Sequence, residues 1–290
     1  MSNQNSRDAE AIVLARRAGE LHTPYVAIDG IPYGSRRHEH FSLYARDWKR
    51  QQRPVVVWIP GAWRQPKDLR VYPTVARALV EDGMAVAIPE YSLAAAAWPQ
   101  QQIDLQRALT QICREIPVLG GDTQRLVLAG DGLGAFMAFQ LMLAMHQEAG
   151  ISSVPAKLCG WMALDGVWQE ESLQAFDAKH VLRQVIKDEG NWAAMRPLTV
   201  LRPGLSPGFV VHTPPASTMG TEEFAFRALA LGNDITLLQR TESGSRILRE
   251  INRPNHPLRF SWRAWLRRVT RMDRTELPSD TQGGTHDEDN

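Results

Sequence analysis

The sequence predicts an α/β fold with a doubly wound, mostly parallel sheet and one inserted segment. Short apolar segments alternate with longer segments of helical periodicity from residue 55 to residue 271. The apolar segments are hydrophobic at successive positions, which is typical of strands buried on both faces. Such an alternation gives right-handed parallel connections with helices on both faces of the sheet. With 290 residues, 43% of them hydrophobic, the chain is long and apolar enough for one large domain.

The elements are predicted in chain order. Residues 8–20 fit a short amphipathic helix, and residues 25–31 and 40–44 alternate like two antiparallel strands around a turn at Gly34. The central strands are predicted at residues 55–59, 84–88, 125–129, 158–164, 209–212 and 235–239. The helices that connect or follow them are predicted at residues 68–81, 101–115, 133–148, 221–231 and 257–271.

One long interruption breaks this alternation. Residues 167–207 follow the predicted strand 158–164 and are too long for an ordinary loop. Because a doubly wound sheet binds its ligand at the carboxyl ends of its strands, a segment inserted there is expected to cover the crevice as a cap. The predicted organisation is an extension at 1–24, one domain at 25–272 and a disordered acidic tail at 273–290.

Composition argues against several classes of function. The chain has 33 Lys and Arg against 32 Asp and Glu, so its net charge of +1 offers no field that would attract nucleic acid. Cys113 and Cys159 form no metal-ligand cluster and fit a reducing compartment. His38 and His40 alternate on one strand without a third ligand, so no metal is expected. The chain shows neither a signal-peptide pattern nor a membrane-spanning apolar stretch, which predicts a cytoplasmic protein. No cofactor is expected.

The last predicted helix carries many arginines. Its apolar residues recur at spacings near 3 and 4, which predicts that one face docks on the domain while the arginines face solvent. The docking set is Phe260, Trp262, Trp265 and Leu266, and the solvent set is Arg263, Arg267, Arg268 and Arg271. A patch for an anionic partner is the alternative interpretation of these arginines.

The most informative segment is RLVLAGDGLGAFMAFQLML, in which a buried strand enters a glycine-rich turn and then an apolar helix. This is the pattern of a nucleophile elbow, G-x-S-x-G, whose outer glycines permit the tight turn and whose central serine attacks the substrate. Gly130 and Gly134 occupy the outer positions here, but Gly132 occupies the centre. Glycine adopts the turn without strain and supplies no nucleophile.

The elbow and five further segments resemble the α/β-hydrolase fold, and within it the kynurenine formamidase (arylformamidase) and related esterase group. VVVWIPGAWRQP is similar to the strand and H-G-G-x-W oxyanion loop of that group, and PEYSLAAAAWPQQQIDLQRAL to its Y-R-L-x-P…P…D segment. LDGVWQEESL is similar to S-G-x-Y-D-L, DEGNWAAMRPL to W…S-P-L, and GSRILREINRP to G-H-x-x-I-L-x-E-L. The six segments follow the family order over residues 25–270, so the resemblance implies an α/β-hydrolase fold.

The same resemblance implies that the catalytic triad is absent. The nucleophile position falls on Gly132 and the histidine position on Ser245. The acid is expected just after the strand 209–212, at Ala216 or Ser217, but residues 212–218 contain no carboxylate. A serine hydrolase needs all three groups as a unit, so no catalytic residue is assigned.

The oxyanion loop is also altered. Pro60 stands where the family has glycine, and proline has no amide hydrogen to donate. Gly61, Ala62 and Leu133 are the predicted remnants of the oxyanion hole.

Other residues are predicted to line a pocket beneath the cap. Asp131 is the best substitute nucleophile, but it precedes the elbow centre and is expected to point elsewhere. His212 ends a central strand and is expected to be either a pocket residue or a hydrogen-bonded structural one. His256 lies beyond the expected base position, where a helix-entry role is more natural. Three tryptophans fall in loops near the pocket and could stack a flat, aromatic ligand; they are Trp63, Trp168 and Trp192.

Three functions follow from these observations. The first is a pseudo-hydrolase that binds a small molecule or a partner protein, as a homodimer or in a heteromer with an intact paralogue. The second is a repurposed enzyme of a biosynthetic pathway, in which the pocket orients a substrate for cyclisation or isomerisation. The third is a divergent formamidase or esterase, which the fold favours and the empty triad opposes.

Overall fold

The computed structural model of the chain describes residues 25–46, 52–61, 71–92, 98–147, 154, 156–169, 196–213, 220–241 and 244–272. The predicted helix at 8–20, the tail at 273–290 and most of the predicted cap at 167–207 lie outside these residues. No helix within the described ranges is long and apolar enough to cross a membrane.

The described residues form one eight-stranded sheet in the order β1-β2-β4-β3-β5-β6-β7-β8. The strands β1 and β2 are antiparallel to their neighbours, and all remaining pairs are parallel. The predicted fold class is therefore confirmed. The strands are β1 Tyr25–Pro32, β2 His40–Arg46, β3 Arg53–Ile59, β4 Ala85–Pro89, β5 Gly121–Asp131, β6 Leu158–Leu164, β7 Gly208–His212 and β8 Ile235–Gln239.

Helices cover both faces of this sheet. They are α1 Tyr72–Glu81, α2 Gln100–Glu115, α3 Leu133–Met145, α4 Pro197–Val200, α5 Thr221–Ala230, α6 Gly244–Glu250 and α7 Pro257–Thr270, with a 3-10 turn at Ile116–Leu119. The helices α2, α3 and α5 pack on the first face, and α1, α6 and α7 on the second. The two faces form separate apolar clusters because successive side chains of each strand point to opposite sides. In β3, for example, Val57 belongs to the first cluster and Trp58 to the second.

The helix α7 docks with a buried ion pair as well as an apolar face. Trp262, Trp265 and Leu266 are buried as predicted, but Phe260 is 51% exposed and was wrongly assigned to the docking face. Arg259, which the periodicity did not single out, is buried and binds Asp82 at the end of α1 through Nε and Nη2. A buried guanidinium thus anchors the last helix to the first.

Candidate functional site

The carboxyl ends of the parallel strands meet at one edge of the sheet, where this class of fold places its ligand crevice. Gly61 follows β3, Gly132 follows β5, Asp165 follows β6 and Thr213 follows β7. Backbone hydrogen bonds join these ends directly: the Gly132 amide donates to Leu164 O at 2.8 Å, and the Asp165 amide donates to Val211 O at 2.8 Å. The elbow at the end of β5 therefore lies next to the end of the neighbouring strand β6.

Gly132 adopts the geometry of an elbow centre. Its φ of 52° and ψ of −119° place it at the turn from β5 into α3, where it forms the cap residue of the helix. Side-chain-bearing residues rarely adopt such angles, and those that do are strained. Gly132 is buried and brings no functional group to the turn. The elbow is therefore formed, with no nucleophile at its centre.

The flanking glycines are required by packing. A Cβ on Gly134 would lie 2.7 Å from the carbonyl oxygen of Pro60 and closer still to that of Ile59. A Cβ on Gly130 would lie 2.7 Å from the Ile59 oxygen and collide with the backbone of Gly134. These contacts show that α3 starts against the backbone of β3, so the two glycines serve close packing independently of any chemistry.

Asp131 points away from the elbow, to the second face of the sheet. Its Oδ1 accepts hydrogen bonds from Trp58 Nε1 at 3.3 Å and from the Gly61 amide at 3.2 Å, and its Oδ2 accepts one from the Tyr72 hydroxyl at 3.3 Å. This buried carboxylate is engaged by three donors. The prediction that Asp131 lines the pocket is therefore wrong, because its side chain braces the start of the oxyanion loop.

The same contacts correct the prediction for Gly61. Its amide is directed at the Tyr72 hydroxyl oxygen, 2.9 Å away, and at Asp131 Oδ1. One amide hydrogen shared between two acceptors is not aimed at a substrate oxyanion. Leu133 is the first residue of α3, so its amide has no acceptor within the helix and Leu133 stays a predicted remnant of the hole. Ala62 lies outside the described residues.

A second brace holds the carbonyl of Pro60. The Tyr91 hydroxyl donates to Pro60 O at 2.7 Å, and burial raises the pKa of Tyr91, which keeps the phenol protonated. The next residue, Ser92, donates its amide to Asp104 Oδ2 at 3.1 Å, and Gln100 donates to Oδ1 at 2.7 Å. Burial acts to raise the pKa of Asp104, but these hydrogen bonds hold it below its usual range. Tyr91 thus fixes the carbonyl of the first residue after β3, and Asp104 holds the residue next to Tyr91.

Asp165 is a carboxylate at this edge that the sequence analysis missed. Oδ1 accepts from the Thr213 amide and Oδ2 from the Thr213 hydroxyl, each at 2.8 Å. The Thr213 hydroxyl in turn accepts from the Gly244 amide at 3.2 Å. Gly244 precedes Ser245, the position at which the resemblance expects a histidine. The resemblance places the acid in the segment after β7, whereas Asp165 directly follows β6.

The structure describes only some of the positions at which the resemblance expects a triad. Ser245 is the second residue of α6, directly after Gly244, and supplies no imidazole. Ala216 and Ser217 lie outside the described residues, as do the predicted pocket residues Trp63 and Trp192. The described residues therefore do not test the predictions for these four positions.

Trp168 is a core residue, and its prediction as a ligand-stacking residue is wrong. It is 0% exposed and stacks on Phe224 of α5, with ring centroids 3.9 Å apart and an interplanar angle of 16°. Phe139 and Trp161 pack against it edge-on. Aromatic neighbours occupy the surfaces that a flat ligand would need.

His212 is buried beside the start of α5. It is 1% exposed, and its Nε2 lies 3.7 Å from Glu222 Oε1. Its Nδ1 has no hydrogen-bond partner among the described residues, and neither do Trp168 Nε1 or Thr221 Oγ1. His212 therefore presents no open surface as a pocket residue, but the neighbourhood retains unused hydrogen-bonding capacity.

His38, His40 and His256 each have local contacts among the described residues. His38 Nε2 lies 3.4 Å from Asp104 Oδ2, and His40 Nε2 lies 3.6 Å from Glu90 Oε2. His256 caps the start of α7 and its carbonyl accepts the Arg259 amide at 2.9 Å, in agreement with the helix-entry interpretation. Within the described ranges, no three potential metal ligands come together.

The fold and this edge define an esterase-like α/β hydrolase. The structure is similar to esterase B from Lactobacillus rhamnosis, with a TM-score of 0.71, 16% identity and 92% of each chain covered. It is also similar to a bacterial heroin esterase, with a TM-score of 0.66 and 18% identity over 95% of this chain and 91% of that one. At these sequence identities, the structural similarity shows a shared fold only.

The sequence comparison identifies a family within this fold. Residues 41–213 match the BD-FAE family, and the chain belongs to this family. A curated relative, esterase LipQ of Mycobacterium tuberculosis, is 24% identical over 226 residues, which cover 68% of this chain. The match covers 53% of LipQ, so the chain spans about half the length of this relative.

Proposed function

We propose that this chain is a non-hydrolytic member of the BD-FAE family that binds a small molecule at the carboxyl edge of its sheet. One observation carries the proposal: the elbow is fully formed, with its turn geometry and both packed glycines, yet its centre is Gly132. Covalent catalysis of ester cleavage requires a side-chain nucleophile at this point. The narrower relation to kynurenine formamidases rests on the motifs alone and is part of the proposal.

Among the described residues, neither aspartate near the elbow takes over the missing role. Asp131, the nearest carboxylate in sequence, is held by three donors on the second face. Asp165 is on the correct edge, but both its oxygens are engaged by Thr213. A carboxylate in that position orients a histidine well in principle, and Ser245 is not a histidine.

The proposed binding edge also contains buried polar groups. His212 Nδ1, Trp168 Nε1 and Thr221 Oγ1 are buried around the first turn of α5 without a partner among the described residues. Because these side chains are at most 1% exposed, they do not form an open binding surface, and they add polar groups beneath the edge at which the ligand is proposed to bind. The amino-terminal turn of α5 also favours an acceptor or a negative charge.

A divergent esterase is the second candidate function. Its supporting observation is the set of relatives, which are named as esterases. Asp165 adds to it, because a carboxylate remains beside the position that the resemblance assigns to the histidine.

We expect the purified chain to leave p-nitrophenyl acetate and p-nitrophenyl butyrate essentially intact. An enzyme without its triad retains a residual acceleration of about 10³ to 10⁴ over water, and the altered oxyanion loop lowers this further. The measurement is nitrophenolate release against a buffer blank, with a serine esterase of the same fold as the positive control. The unhydrolysed butyrate ester should raise the melting temperature as its concentration increases. Turnover of about 1 per second or faster would establish the esterase instead.

We expect Gly132→Ser alone to remain inactive. A serine hydroxyl is a weak nucleophile at neutral pH without a base, and Ser245 provides none. Gly132→Ser combined with Ser245→His should gain at least about tenfold over the single variant, because triad members act together and Asp165 lies next to Gly244. A further variant adds Ala216→Asp at the predicted acid position.

The matched control is Gly132→Ala, which places the same demand on the backbone without a hydroxyl. All variants are compared at equal folded concentration, checked by circular dichroism. If Gly132→Ser equals the combined variants and exceeds Gly132→Ala, a base already serves the elbow, and the conclusion that this site lacks one is wrong.

A further inference from the structure

The two edges of the sheet differ in how they are protected. Edge strands expose unpaired backbone groups, and proteins commonly blunt them with bulges, charges or proline. The edge strand β1 has all three features: a register irregularity between Ile28 and Ile31, Asp29 within it, and Pro32 at its end. The edge strand β8 has the sequence ITLLQ, without a charge, a proline or a register shift toward β7.

The outward groups of β8 can be assigned from its pairing with β7. The carbonyl of Asp234 accepts the Gly208 amide, and the Arg240 amide donates to the His212 carbonyl. Backbone groups alternate along a strand, so the even-numbered residues from 234 to 240 face β7. The amides and carbonyls of Ile235, Leu237 and Gln239 therefore point away from the sheet. Among the described residues, β8 has a neighbouring strand on one side only.

We propose that β8 pairs antiparallel with β8 of a second copy of this chain, in a register centred on Leu237. In this register Leu237 faces Leu237 of the second copy, and Ile235 faces Gln239. All three of these residues have outward backbone groups, so each opposed pair exchanges hydrogen bonds across a two-fold axis. The two sheets become one continuous sheet of sixteen strands.

Charge complementarity selects this register. The residues that flank the strand are Asp234 and Arg240, and the register centred on Leu237 places Asp234 of each copy opposite Arg240 of the other. These are non-hydrogen-bonded positions, where opposed side chains approach most closely. Asp234 is about half exposed and already binds Arg268 of α7, 2.5 Å away, so a second guanidinium would complete a small ionic cluster. Two-fold symmetry makes this pair occur twice.

The helix next to β8 supplies an apolar surface for the same contact. Phe226 is 64% exposed and Leu229 is 44% exposed, three residues apart on α5, which packs on β7 and β8. A two-fold axis perpendicular to the joined sheet places both α5 helices on the same face, on either side of the axis. Exposed aromatic and leucine side chains at such a position are typical of the centre of a protein interface.

The first test is a charge exchange followed by analytical ultracentrifugation. The wild type should sediment at twice the chain mass of 32.6 kDa at micromolar concentration. Asp234→Arg or Arg240→Asp alone should raise the dimer dissociation constant by at least about tenfold, because each creates two like-charge pairs. The double variant should return to within about threefold of the wild type.

The charge-exchange variants distinguish contacts between the two copies from effects within one chain. Residues 234 and 240 lie roughly 20 Å apart along the strand, so they cannot restore each other inside one copy. The double variant loses the intramolecular contacts of both residues, including the ion pair of Asp234 with Arg268, so effects within one chain predict a double variant that is weaker than either single variant. Rescue by the double variant therefore reports pairing between copies.

The second test uses the apolar surface. Phe226→Glu should weaken the dimer at least about tenfold, whereas Val118→Glu, at a 75% exposed apolar residue before β5, should not change it. A wild type that stays monomeric at about 100 µM, a dimer that neither Phe226→Glu nor the single charge variants weaken, or a double variant no tighter than the singles would each overturn the proposal.

Discussion

Gly134→Ala is expected to destabilise the protein by about 4 kcal/mol, at the severe end of single substitutions. Helix propensity alone predicts the opposite sign, since alanine is favoured over glycine within a helix by about 1 kcal/mol. The Cβ, however, would meet the carbonyl oxygens of Ile59 and Pro60 below any allowed separation. Both atoms belong to backbone, so neither can rotate away. The helix α3 would have to separate from β3.

The measurement is the free energy of unfolding from urea titration, with equal m-values confirming a comparable transition. The matched control is Gly204→Ala, where a Cβ would meet nothing within 4 Å. Because Gly204 has a φ of 79°, that substitution costs only the conformational penalty of about 1 kcal/mol. A Gly134→Ala variant as stable as the wild type would show that α3 does not start against β3 in this way.

Asp82→Asn should cost about 3 to 5 kcal/mol, the loss typical of breaking one partner of a buried ion pair. The Asp82 carboxylate is fully buried and accepts from Arg259 and, at 2.8 Å, from Trp262 Nε1. Asparagine retains the size of the side chain but removes the negative charge. Its NH2 group would also face the hydrogen-bond donors of Arg259 and Trp262. The Arg259 guanidinium would then keep only Glu81 as a carboxylate partner.

The control is Arg227→Gln, which removes an exposed ion pair with Glu223 on α5. Exposed pairs contribute about 0 to 1 kcal/mol, so the two variants should differ several-fold in their cost. Both are measured by urea titration and thermal melting. Equal costs would mean that water reaches the Asp82 site and that α7 does not depend on this anchor.

The fold could be predicted because each central strand is apolar along its whole length. Strands β6 and β8 begin and end where the pattern places them, at Leu158–Leu164 and Ile235–Gln239. The pattern missed helix α6, Gly244–Glu250, because seven residues are too few to display a helical period. It also could not give the order of the parallel strands, since their apolar pattern does not say which of them are neighbours.

The candidate site was predictable only in its local part. The elbow occupies neighbouring residues, so its glycines and its empty centre were visible in the sequence. The contacts of Asp131 with Trp58 and Tyr72 span 73 and 59 residues. Asp165 meets Thr213 across 48 residues, and that contact depends on β6 and β7 being neighbours. Trp168 failed as a pocket residue for the same reason, because its stacking partner lies on α5.

The glycine at the elbow centre has a consequence for the balance between activity and stability in this scaffold. Residues with a side chain in such a backbone region are strained by about 1 to 3 kcal/mol, and an active hydrolase carries that strain to expose its nucleophile. Gly132, with its φ of 52°, removes it. Under the proposed non-hydrolytic function, the absence of a side chain at the elbow centre and a gain in folding free energy are therefore one and the same feature. A scaffold with this larger free energy of unfolding tolerates destabilising substitutions elsewhere on its surface, including substitutions that create new ligand-binding sites.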